Sequence, residues 1–192
     1  MPSPDEPYEL TTYASALRTI LEIPRLEVES SGATRVVRCL LKPSSHPECA
    51  ISIVERGTAA EMTLRVPERS VWTLISARRG SPSVDPVTGW VKPAVSAERI
   101  EILEPIEDWR VAVADLERTQ LPEGSACGID GMGVDLVLWR PDVERSWETW
   151  FGPFDERDPS HRLVRAILDT AVSLARWRQS LMGLQRARAY LG

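Results

Sequence analysis

Asparagine is missing from this chain of 192 residues, and lysine nearly so: Lys42 and Lys92 are the only two among 23 basic residues. Without Asn there is no N-glycosylation site and no Cys-His-Asn triad. Two lysines cannot form a lysine cluster for phosphate. Histidine is limited to His46 and His161, and cysteine to Cys39, Cys49 and Cys127. Three cysteines in a mid-sized chain do not make a disulfide framework, and free thiols suit a reducing compartment. No apolar run approaches the roughly 18 residues of a membrane span. The opening, Met1-Pro-Ser-Pro-Asp-Glu-Pro, lacks the basic and apolar segments of a signal peptide, so a cytoplasmic location and no membrane partner are expected. No serine lies in a G-x-S-x-G elbow.

What is present describes a folded protein. Apolar residues make up 43% and charged residues 27%, the balance of a chain that buries a core. The length fits one domain over 1–192, with 1–9 flexible and a long loop over 80–94. The preference for Arg over Lys matches a GC-rich bacterial genome. Charge is uneven: from Ser160 onward six Arg face one Asp, leaving the rest strongly acidic within a net charge of −5. That division suggests either an internal electrostatic match or an acidic face for a basic partner.

Periodicity gives the elements. Tyr13, Leu17, Ile20 and Leu21 recur at helical spacing, Thr11 or Thr12 can cap, and Pro24 stops the run. Leu26 and Val28 alternate with Glu27 and Glu29, which reads as a strand. Strands follow over 35–41, around Cys49-Ile51-Ile53, around Met62-Leu64-Val66 and near Ile100-Ile102. Residues 70–77 are ambiguous. Residues 107–119 read as a helix, with Trp109, Val113 and Leu116 on one face. Ile129-Asp130-Gly131 turns into a strand ending at Trp139, and a second strand carries Trp147, Thr149 and Phe151. Leu163, Ile167, Ala171, Leu174, Trp177, Leu181 and Leu184 form the stripe of one long closing helix from about 161 to 191. The fold class expected is α+β: an antiparallel sheet of six to seven strands, with an N-terminal, a middle and a long C-terminal helix packed on one side.

Four groups carry candidate chemistry. His46-Pro47-Glu48-Cys49, with Cys39 upstream, is the nearest approach to a metal or nucleophile site. The close ligand pairs zinc needs are missing, and the cysteines sit at alternating apolar positions. Gly128-x-x-Gly131-x-Gly133 is followed by a strand, so it is not the strand–loop–helix of a phosphate cradle. The Arg of the last helix spread around its polar arc rather than forming the concentrated stripe of a nucleic-acid binder. The acidic runs Glu101, Glu104, Glu107, Asp108 and Asp155, Glu156, Asp158 are candidate partner contacts. Trp147 and Trp150 join them, because residues three apart on a strand face opposite sides and an exposed Trp is a favoured anchor.

Residues 107–176 also resemble a pattern found in uncharacterised bacterial α+β proteins of the toxin-immunity type. The resemblance rests on the "DG" turn into Met132-Gly133-Val134-Asp135-Leu136, the Gly-Pro end at Trp150-Phe151-Gly152-Pro153, and the helix Leu163-Val164-x-x-Ile167-Leu168-x-x-Ala171. Met132-Gly133 stands where that pattern has an aromatic or Thr. The resemblance implies no catalytic residue, and from the residues themselves no cofactor or metal site is expected. The resulting expectation is a non-enzymatic protein-binding module, an immunity or antitoxin-like inhibitor that meets a basic toxin with acidic segments and a Trp. The alternatives are a hydrolase using His46 and Cys49, and a nucleic-acid-associated protein using the Arg-rich helix.

Overall fold

Apolar residues at alternating strand positions close one face of a single sheet, and that face organises the molecule. The computed structural model describes residues 13, 16–76, 93–102, 107–118, 131–152 and 155–192. The expected 1–9 segment, most of the 80–94 loop, Cys127, and Ile129-Asp130 of the turn lie outside them.

Residues 13 and 16–20 are helical (α1), followed by α2 (Leu26–Glu29), β1 (Arg35–Pro43), β2 (Cys49–Arg56), β3 (Ala59–Pro67) and α3 (Val71–Ser76). Then come β4 (Val95–Ile102), α4 (Glu107–Arg118), β5 (Met132–Arg140), β6 (Val143–Phe151), α5 (Pro159–Leu174), α6 (Arg178–Arg188) and a short 3-10 turn at Ala189–Leu191. The six strands pair antiparallel in the order β4-β3-β2-β1-β5-β6, which leaves β4 and β6 at the two edges.

The core face gathers Val37, Cys39 and Leu41 of β1, Cys49, Ile51 and Ile53 of β2, Met62 and Leu64 of β3, and Val134 and Leu136 of β5 under α4, α5 and α6. Close approach of α6 depends on Gly183, where a Cβ would stand 2.5 Å from Val66 Cγ1. The reverse face is covered at its centre. Leu17, Ile20 and Leu21 of α1 and Val71 of α3 pack on Leu40 and Ala50, while Leu26 of α2 packs with Ala33, Val36, Val54 and Trp139. Helices therefore cover both faces, not one side alone.

Two readings from periodicity are corrected. Leu26–Glu29 is one helical turn rather than a strand. Four residues of alternation fit either, and Glu29 decides: its buried carboxylate accepts from Arg38 Nη2 at 2.5 Å and Ser52 Oγ at 2.6 Å, pinning the turn to the sheet. The expected single closing helix is two. It breaks at Ala175 and Trp177, both in extended conformation, and Trp177 is 53% exposed instead of lying on the buried stripe. The ambiguous 70–77 segment is helical from Val71.

Candidate partner-binding surface

Each of the buried carboxylates, a possible catalytic group, has a structural task. Glu48 is fully buried. Its carboxylate accepts from the backbone of Val71 at 2.7 Å and Trp72 at 2.9 Å, from Ser70 Oγ at 3.2 Å and from Tyr13 Oη at 2.9 Å. An anion at the start of α3 is thereby satisfied four times. Burial and the Glu48 charge push the Tyr13 phenol far up, so it stays a donor. Glu98, on the core face of β4, accepts from the backbone of Arg176 at 2.7 Å and Trp177 at 3.3 Å. It stands at the N-terminal end of α6, where the helix dipole favours a carboxylate. Glu55 binds Arg35 and Arg110, which ties α4 to β2.

The thiols are equally occupied by packing. Cys39 and Cys49 are buried, and Cys49 Sγ lies 3.5 Å from where a Gly183 Cβ would stand, beneath α6. Burial, then the Glu48 charge, pushes the Cys49 thiol up to about 12, and burial raises Cys39 too. Nucleophilic cysteines need the opposite shift. The His46 ring meets Tyr190 edge-on at 6.0 Å. Among the described residues no group of three or more His, Cys, Asp or Glu is placed to hold a metal ion.

His161 is packed at the start of α5. Its ring stacks on Phe151 with centroids 3.9 Å apart, and its Nδ1 accepts the Asp155 backbone N–H at 3.0 Å. Burial lowers its affinity for a proton, against the raising effect of Asp158 and Asp155. Asp158 caps α5 through the backbone N–H groups of Ser160 and His161. Burial pushes the Asp158 carboxyl up, but the Ser160 hydrogen bonds and His161 outweigh it and hold it below the usual range.

The expected partner contacts separate. Trp147 lies on the core face of β6, half-buried against the core, opposite Leu136. Trp150 lies on the reverse face opposite Gly133, also half-buried. Their spacing of three does place them on opposite faces. Glu101 is exposed on β4, at the other edge of the sheet. Five strand spacings put it about 24 Å from β6. Asp155, Glu156 and Asp158 cluster where β6 leads into α5, with Glu156 pairing Arg165. Glu107 and Asp108 open α4, their side chains outside the described part, and Glu104 lies outside it altogether.

What the spacing did not reveal is why Trp150 sits where it does. Gly131 and Gly133 form its seat. A Cβ on Gly133 would stand 3.4 Å from the Trp150 ring and 3.3 Å from Lys42 Cε. Gly131, at φ +141, has no room at all: a Cβ would run into the Phe151 carbonyl oxygen and stand 2.9 Å from Trp150 Nε1. The G-x-G is a seat for an indole. Lys42 continues past it to pair with Asp135.

Around that seat the reverse face of β5 and β6 is left partly open. Register sets Gly133, Asp135, Val137 and Trp139 against Trp150, Glu148, Ser146 and Glu144. Trp139, Val137 and Trp150 are half-buried, while Glu144, Ser146 and Glu148 are exposed. Neither Glu144 nor Glu148 has an ion-pair partner among the described residues, and Glu148 faces Asp135. The result is two apolar patches, Trp150 at one end and Val137 with Trp139 at the other, separated by the Asp135–Lys42 pair and bordered by Glu144 and Glu148. The Arg-rich C-terminal segment is partly neutralised: Arg162 pairs with Asp115, and Arg165 and Arg188 with Asp169. No described helix is long and apolar enough to cross a membrane.

No family model matches this chain, and neither a curated protein nor a solved structure matches it.

Proposed function

We propose that the protein is a non-enzymatic binding module, an immunity or antitoxin-like inhibitor, and that it meets a basic partner with the reverse face of β5 and β6. The observation that carries this reading is the set Trp139, Trp150, Glu144 and Glu148: two half-buried indoles bordered by two exposed carboxylates that have no ion-pair partner among the described residues. Indoles supply apolar area at low entropic cost, and the unpaired carboxylates steer a cationic partner. The packing of Cys49 under α6 weighs against a Cys-His hydrolase. A cytoplasmic site of action belongs to the same proposal.

The test is co-expression with the protein encoded beside it. Growth should be rescued and a 1:1 complex should form. Glu144→Lys with Glu148→Lys, and separately Trp150→Ala, should lose both. Rescue by a folded triple variant would remove this face from the proposal.

A further inference from the structure

The opposite edge of the sheet carries a second set of charges that the proposed partner face does not use. On β3 and β4, Glu61 stands directly across from Glu101, and Thr63 from Arg99. Like charges directly opposite are unfavourable in a sheet. None of Glu61, Glu101 and Arg99 has an ion-pair partner among the described residues. Arg99 and Glu101 are both exposed, two residues apart on one face of an edge strand.

We infer that β4 pairs with β4 of a second copy, antiparallel about Ile100, making one continuous sheet through a two-fold axis. The spacing is self-complementary. This register sets Arg99 against the partner's Glu101 and Glu101 against the partner's Arg99, so a single contact forms two ion pairs, as an isologous interface requires. Each arriving guanidinium also supplies the cation that the Glu61–Glu101 pair lacks. Neighbouring registers do not match. Centring on Arg99 opposes Arg99 with itself, and centring on Glu98 sets Arg99 against Ala97. The strand carries neither proline nor lysine to guard its edge. On its core side Ile100 and Ile102 are already buried within their own chain, leaving backbone and outer-face charges to form the contact.

Sedimentation equilibrium of the full chain and its charge variants tests this. The wild-type protein should approach roughly twice 21.5 kDa at high micromolar concentration. Arg99→Glu alone and Glu101→Arg alone should each weaken self-association by about tenfold or more, since each converts both pairs to repulsions. An equimolar mixture of the two folded variants should dimerise again. A wild-type monomer at every accessible concentration, single variants that stay dimeric, or a mixture that stays monomeric would each overturn the inference.

Discussion

The carboxylate of Glu98 on β4 accepts the backbone N–H groups of Arg176 and Trp177, 78 and 79 residues further along the chain. One buried side chain thus fixes where α5 ends and how α6 is oriented over the sheet. Ser96 and Ser180 add a buried hydrogen bond of 3.0 Å to the same junction. Replacing Glu98 with Ala should cost about 2 kcal/mol, because two charge-assisted bonds from part-buried backbone donors are lost. Glu98→Gln keeps an acceptor and should cost less. Urea unfolding measures both, and equal losses would show that the charge at the helix start contributes nothing.

Gly131 and Gly133 should differ in a stated order. Ala at 131 meets a backbone carbonyl in a conformation side chains avoid, and should cost about 2–3 kcal/mol or more. Ala at 133 meets the Lys42 stem and the Trp150 ring, which can shift, so about 1 kcal/mol is expected. Thermal unfolding of both variants checks the order, and the reverse order would contradict the indole seat.

His161 should make the fold sensitive to mild acid. Its folded proton affinity lies below that of an unfolded histidine, near 6.5. As pH falls through that value the unfolded chain takes up the proton first, so stability declines until the folded ring also titrates. The Asp158 carboxyl, held low in the fold, adds a second loss below about pH 4. In His161→Gln the first decline should vanish and the second should remain. Urea midpoints from neutral pH down to about pH 2 show whether both outcomes hold.

Cys39 and Cys49 should be chemically silent in the native protein. In a Cys127→Ser background, a disulfide reagent should react only at the rate of unfolding, because both thiols are buried and held protonated. A fast stoichiometric reaction would revive the hydrolase reading.

Much of the sheet was legible because its strands bury one face and so alternate. Met132, Val134, Leu136 and Leu138 mark β5 unaided. The opposite facing of Trp147 and Trp150 followed from spacing alone. What escaped was set by distant groups. No proline or glycine marks the break at Ala175–Trp177, whose determinant is Glu98 on another element. The turn at Leu26–Glu29 alternates like a strand, and only Arg38 and Ser52 reveal why Glu29 points inward. Of the candidate contacts, β6 and the start of α5 bring Trp147, Trp150, Asp155, Glu156 and Asp158 to one edge. Glu101 belongs to the other, and acidic runs carry no information on which edge they join.

The most direct test of the binding-face proposal is the affinity between this protein and the product of the adjoining gene, measured by titration calorimetry. The expected result is a 1:1 complex that weakens as salt rises and loses at least about tenfold in affinity in Glu144→Lys/Glu148→Lys. An affinity unchanged by that double reversal, or no complex at all, would contradict it.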